Sequence, residues 1–324
     1  MSADLAIVLA TDTLGTVRTV LEHLQAQSAR DRLEVVIVTP DPARIDPGDP
    51  ALRGFGATQV VAGAVPDLPS ARAAGIRAAG APVVVIGETH SFPEPGWAQA
   101  LIDAHRGPWS VVGPAILNAN PQTMRSWANV LLDYGRFVDA AQSGEVRDLP
   151  GHNSSFKREV LLACGDRLEQ EMISDSMLVW SLHDEGHRFY LEARARTAHL
   201  NVTRPAGWIK DRFHAGRVFA ALRGAAWPAW RRAVYAAAWP LIPAVRLTRA
   251  MRDIRAAGLA GRLLPGVLAP LTVALVSSSF GEGVGYLFGH GGALERLHAV
   301  EVHRFGEVRR QDLAAIARTQ EPPV

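Results

Sequence analysis

Gly87-Glu88-Thr89-His90 closes an apolar run and carries a carboxylate and an imidazole two positions apart. In an extended segment alternate side chains share a face, so Glu88 and His90 can both address one divalent cation. Acid-x-His also occurs by chance in solvated loops, so the surrounding elements have to decide between the two readings. A second polar pair, His152-Asn153, precedes the helical pattern of Phe156–Ala163, with Ser155 where an N-cap belongs. Backbone N–H groups at such a start bind an anion or sugar hydroxyls; an ordinary loop with Asn taking the turn is the alternative. The single cysteine, Cys164, lies among Leu161, Leu162 and Ala163 and reads as a small buried hydrophobe. It excludes an internal disulfide framework and a multi-cysteine metal site.

The elements that must position these residues alternate. Leu5–Ala10, Leu33–Val38, Thr58–Val61 and Pro82–Ile86 are apolar, strand-like runs. Thr16–Gln27 and Ser70–Ala79 between them have helical character, with Val17, Val20, Leu21 and Leu24 at helical spacing. Continuous Val/Ile strands separated by helices predict an α/β fold with a mostly parallel central sheet, covered on both faces. Ligands on such sheets sit beyond the carboxyl ends of the strands. That singles out Ala10–Thr13, Thr39–Asp41 and Gly87–His90. Further on, Gly96–His105, Met124–Phe137 and Ile173–Leu182 read as helices, and Ser110–Val112 and Phe189–Leu191 as strands. Trp97, Trp109, Trp127 and Trp180 read as core, with Trp127 or Trp180 as candidates to line an acceptor cleft.

Taken in order, these segments resemble the family 2 glycosyltransferases of the GT-A fold. Leu5–Thr11 is similar to their opening strand, with Ala10 in place of the usual Pro. Glu34–Asp41 stands where a strand ends in two acids, and Ala71-Arg72-Ala73-Ala74-Gly75-Ile76 is similar to their Ala-Arg-Asn-x-Gly-Ile helix. Val83–His90 falls on the strand bearing Asp-x-Asp, with Glu88-Thr89-His90 in its place. Pro93–Trp97 follows, and Gly151–Arg158 is similar to Gly-x-Asn-x-x-x-Arg-Arg. The likeness covers about 200 residues, ending near His199.

The resemblance implies a site. Glu88, His90 and His199 would hold a divalent metal, Mn²⁺ sooner than Mg²⁺ because imidazole is a ligand. Ala10, Thr11, Asp12, Thr39, Asp41 and Arg72 would border the nucleotide, although Thr39-Pro40 replaces the acidic pair that contacts base and ribose. Ser174-Asp175 falls on the family's Glu-Asp pair, making Asp175 the general base; helix capping is its bland alternative, and Glu169 and Glu171 are rivals. His152, Asn153 and Trp180 would meet the acceptor. The implied activity is inverting transfer of one sugar from a nucleotide-diphosphate sugar to a hydroxyl, on an acceptor that could be lipid-linked. Lack of Gln-x-x-Arg-Trp argues against a processive synthase. The alternatives are a sugar-nucleotide pyrophosphorylase, for which Gly15 and Arg18 make a poor triphosphate loop, and a non-catalytic scaffold.

The expected division is a GT-A domain over 1–204 and a helical extension over 205–324. The net charge of +2 conceals a cluster. Between 201 and 262 eleven Arg and one Lys face only Asp211 and Asp253, interleaved with Trp208, Trp227, Trp230, Tyr235 and Trp239. A GC-rich, bacterial-type genome explains Arg over Lys but not the clustering. No nucleic-acid motif accompanies it. A membrane surface or a homodimer contact is expected instead, the bland reading being a solvated helical face. The apolar run 263–280 is near the lower limit for a span, which needs about 20 residues, and Glu282 among Gly281, Gly283 and Gly285 is expected to end it. With Asp4 and no basic leader at the start, the expected location is cytoplasmic, peripheral or monotopic at the inner face of the membrane.

Overall fold

The protein is described by a computed structural model over residues 3–313. The chain forms two compact units: Met1–Leu117 with Ala140–Ala198, and Asn118–Asp139 with His199–Val324.

The first unit is a mixed α/β structure. Strand β1 (Leu5–Ala10) leads through helix α1 (Leu14–Gln25) to β2 (Leu33–Thr39) and β3 (Ala57–Ala62). Helix α2 (Leu68–Ala78) then returns to β4 (Val83–Ile86). These four strands are parallel, in the order β3-β2-β1-β4. Every residue of β1, β2 and β4 is buried, as a sheet covered on both faces requires. Thr13 caps α1 by accepting from Thr16 N, and Val17, Val20, Leu21 and Leu24 form its buried stripe. Gly75 lets α2 lie close on the sheet, since a Cβ there would fall 2.4 Å from Val8 Cγ1. The loop into β4 is held by Glu34, whose carboxylate accepts from the backbone N–H groups of Gly80 and Ala81, each at 2.8 Å.

Beyond β4 come β5 (Ser91–Pro93), α3 (Trp97–Ala104) and β6 (Val111–Asn118), whose chain continues into α4 (Met124–Tyr134) of the second unit. The chain returns with β7 (Gly144–Val146), β8 (Ser155–Lys157), α5 (Arg158–Ala163), α6 (Leu168–Glu171), α7 (Asp175–Asp184) and β9 (Phe189–His199). The sheet reads β3-β2-β1-β4-β8-β6-β9-β5, with β7 on β9, and β8 is antiparallel to both β4 and β6. Three expectations need correction. Ser155 is not an N-cap but the first residue of β8, its hydroxyl donating to Val112 O and accepting from His105 Nε2. The strand expected at Phe189–Leu191 runs on to His199. Trp180 is 41% exposed rather than core, whereas Trp97 and Trp127 are buried.

The second unit is helical: α4, α8 (Pro205–Arg223), α9 (Ala229–Ala237), α10 (Ile242–Ala256), α11 (Ala260–Leu263), α12 (Leu268–Phe288) and α13 (Ala293–Val302). Helix α12 does not stop at Gly281-Glu282-Gly283 as expected. Two of its glycines are where α8 comes closest: a Cβ on Gly281 would lie 2.1 Å from Phe213 O, and one on Gly285 2.2 Å from Arg217 O. Gly216 of α8 makes the reciprocal approach, 1.9 Å from Ser278 O. Close packing thus offsets the low helix propensity of glycine. Among the described residues α12 is the one helix long and apolar enough to cross a membrane by length and composition, and half of that stretch is buried in the unit. Two arginines, Arg212 buried and Arg246 half-buried, make three ion pairs within the unit. Arg212 of α8 meets Asp133 at 2.5 Å and Asp211 at 2.9 Å, and Arg246 of α10 meets Glu282 at 2.8 Å. Burial alone would lower the Arg212 pKa, but the two carboxylates outweigh it and raise it. Burial raises that of Glu282 against the opposing pull of Arg246.

His105 provides a pH test of the first unit. Burial, with a smaller contribution from Lys157, brings its pKa from the ordinary 6.5 down to about 4. The folded state therefore refuses a proton that the unfolded chain accepts between those values. Its contribution to stability is full above pH 6.5 and fades as pH falls towards 4, by up to about 3 kcal/mol. Urea unfolding at pH 7 and pH 4.5 should show this loss in the wild type and a smaller one in His105→Gln.

Candidate metal and ligand site

The parallel strands end together. Thr11 N–H bonds Val38 O at 2.9 Å, and Gly87 N–H bonds Val8 O at 3.0 Å, so the exits of β1, β2 and β4 are in register. Gly87 is pressed against β1, and a Cβ there would lie 2.8 Å from both Ile7 Cγ1 and Leu9 Cδ2. That contact fixes where the next residue, Glu88, begins.

Glu88 is 4% exposed and surrounded by donors. Its Oε2 accepts from Ser91 Oγ at 2.5 Å and from Asn153 Nδ2 at 2.6 Å, and Asn153 also donates to Ser91 Oγ at 3.0 Å. Asn153 adopts φ 62°, a left-handed conformation that Asn tolerates better than most residues, while its N–H bonds Ile86 O at 2.9 Å. On the other oxygen, Oε1, His152 Nδ1 lies at 3.1 Å and His90 Nε2 at 3.8 Å. Arg72, buried in α2, reaches His152 Nε2 with Nη1 at 3.0 Å. A guanidinium can only donate, so His152 Nε2 accepts and its proton sits on Nδ1, directed at Glu88. The positive charge of Arg72 thus reaches the buried carboxylate through one neutral imidazole.

His90 is fully buried, with Nδ1 3.2 Å from Thr89 Oγ1. His199 is the last residue of β9, so that strand sets its place. Glu88 and His90 each offer a ligand atom, Oε1 and Nε2, on one short loop of the first unit. His199 Nδ1 lies 3.0 Å from Asn201 Oδ1, an atom that only accepts, which leaves the imidazole lone pair on Nε2. Asn201 is itself oriented by donating to Asn118 Oδ1 at 3.0 Å and His199 O at 3.1 Å. Asn120 completes this buried network by donating to Asn201 O at 2.8 Å. In the first unit, the Glu88 carboxylate and the His90 imidazole are donors of the kind suited to a divalent first-row cation.

The remaining predicted residues are arranged as follows. Ala10, Thr11 and Thr39 are buried at the ends of β1 and β2, and Thr39 Oγ1 lies 3.5 Å from Asp12 O. Asp12 Oδ1 accepts from Thr16 Oγ1 at 2.9 Å. Asp41 is exposed and pairs with Arg44 at 3.3 Å. Asp175 opens α7, but its side chain lies outside the described residues; Trp180 is on the same helix. Glu169 pairs with Arg77 at 2.9 Å and Glu171 with Arg167 at 3.2 Å. A cavity of about 550 Å³ lined by Asp4, Arg32, His105 and Lys157, among others, lies at the opposite, amino ends of β1 and β4. Sequence reasoning missed Ser91, Asn118, Asn120 and Asn201. The Asn118-Ala-Asn120 and His199-Leu-Asn201 repeats were the available signal, but their pairing is long-range.

No protein-family model and no curated protein matches the chain. Among solved structures it is similar to S. aureus TarS, at TM-score 0.45 and 14% identity over 67% of this chain and 39% of that one. It is also similar to S. aureus TarS 1-349 in complex with UDP, at TM-score 0.44 and 15% identity over 68% of this chain and 65% of that one. The chain thus spans less than two thirds of the length of either.

The tautomer of His152 is open to measurement. Long-range ¹H–¹⁵N spectra at neutral pH should show one protonated and one bare nitrogen, well separated in shift. In Arg72→Met the two shifts should move together as the tautomers interconvert. Asn153→Ala, which takes a donor from a buried carboxylate, should lower unfolding stability by about 1–3 kcal/mol.

Proposed function

We propose that the protein is a metal-assisted glycosyltransferase that moves one sugar from a nucleotide-diphosphate sugar to an acceptor hydroxyl, with inversion. One observation carries the reading: the buried Glu88 Oε1 and His90 Nε2 face each other 3.8 Å apart. Both stand on the loop leaving a parallel strand, where this class of sheet binds ligands. These residues would hold the cation, Mn²⁺ in preference to Mg²⁺. Bound there, a divalent cation neutralises the charge that develops on a diphosphate leaving group.

The chain's own residues divide the remaining work. Ala10, Thr11, Asp12, Thr39 and Asp41, at the exits of β1 and β2, border the nucleotide. Arg72 and His152 hold Glu88 oriented, and Arg72 also adds positive charge near the diphosphate. Asp175 takes the proton from the attacking hydroxyl. Its rivals Glu169 and Glu171 are each tied to an arginine, which supports the choice. His152, Asn153 and Trp180 meet the acceptor. Residues 1–204 form the transferase domain and 205–324 its helical extension.

Calorimetry with UDP, GDP, dTDP and CDP should find one nucleotide that binds only with Mn²⁺ present. His90→Ala should weaken that binding at least tenfold. Asp175→Asn should leave binding intact and slow transfer by about 10²–10⁴-fold, the usual contribution of a general base. Failure of all four nucleotides to bind would overturn the reading.

A further inference from the structure

From Ala229 to Ala256 the chain is helical nearly throughout: α9, a single 3₁₀ turn at Trp239–Leu241, then α10. One side of this segment is anchored. Ala236, Ala250 and Ile254 are buried, and the Trp239 ring meets Phe280 of α12 edge-on, with centroids 5.5 Å apart. The other side is apolar and open. Trp230 and Leu241 are each 70% exposed, Val234 57% and Val245 50%. Trp230 and Val234 are one turn apart on α9, and Leu241 and Val245 one turn apart where α10 begins, so the exposed apolar residues come as two neighbouring pairs rather than singly.

Cations flank those residues. Arg231, Arg249, Arg252 and Arg255 are exposed and Arg232 half-buried, and none of the five forms an ion pair among the described residues. Arg231 instead lies over the Trp227 ring, with Cζ 4.0 Å from the centroid. Only Asp253 supplies a negative charge in the segment. A self-complementary contact through this face of a second copy would set arginines against arginines. An anionic bilayer satisfies both features, taking the apolar residues into the acyl boundary and the guanidinium groups to the headgroups.

We infer that the α9–α10 face is a docking surface for an anionic lipid membrane, on which the protein lies without crossing it through this segment. The proposal is independent of the nucleotide site. The arginines supply electrostatic attraction, each worth about fivefold in partitioning, and Trp230 and Leu241 supply the apolar anchor.

Flotation of the full chain with vesicles tests it without any nucleotide. Binding is expected to mixed phosphatidylcholine–phosphatidylglycerol vesicles, to weaken with added salt, and to be near zero on phosphatidylcholine alone. Arg249→Gln with Arg252→Gln should weaken binding about 25-fold. Trp230→Ser with Leu241→Ser should weaken it at least tenfold while leaving the circular dichroism and thermal midpoint unchanged, since both side chains are exposed. No binding to the mixed vesicles overturns the proposal, as does binding that neither pair of substitutions changes. A dimer in light scattering that Trp230→Ser with Leu241→Ser converts to monomer would also overturn it, giving the face to a second copy.

Discussion

A carboxylate taken out of water has to be compensated where it stands, and Glu88 is the point around which the first unit's polar interior is arranged. A bare buried charge costs several kcal/mol. Here Ser91, Asn153 and His152 donate to its two oxygens, and Arg72 stands behind His152. These four residues come from three parts of the chain: the start of β5, the turn before β8 and the middle of α2. Removing any one leaves a polar group stranded in a low-dielectric interior, where a missing partner costs more than the bond itself is worth. The compensation therefore ties three segments to one atom pair.

That arrangement also governs the chemistry. Donors on Oε2 leave Oε1 as the oxygen facing the imidazoles, so the carboxylate is aimed. His199 is aimed in the same way through Asn201, which is held by Asn118 and the backbone. Second partners of this kind hold a polar side chain in one orientation.

Much of this was legible in the sequence, and the reasons are physical. Strands β1, β2 and β4 are buried on both faces, so they are written as unbroken apolar runs and announce a parallel sheet. Glu88 and His90 are neighbours in sequence, so their partnership is a local signal. Asn153 was visible as a turn residue, but its bond to Glu88 spans 65 positions. The Asn118, Asn120 and Asn201 network is equally long-range, and amides have no periodicity to betray them. Ser155 was misread because a polar residue ahead of an apolar run looks like a cap whether or not its hydroxyl is needed inside a sheet. The glycines of α12 were misread because helix propensity says nothing of a second helix waiting to occupy the missing side chains' space.

The division of the chain has a consequence for its synthesis. Residues Asn118–Asp139 leave the ribosome between the two halves of the sheet-bearing unit, yet they belong with helices that follow His199. Helix α4 carries Trp127, Val130 and Leu131 on its buried side, and Arg262 over the Trp127 ring comes from far downstream. Arg262 and helix α12, which pack against α4, emerge only after more than a hundred further residues. The second unit is therefore completed only late in translation, and in the meantime a nascent chain carries its early segment as a chaperone's client would.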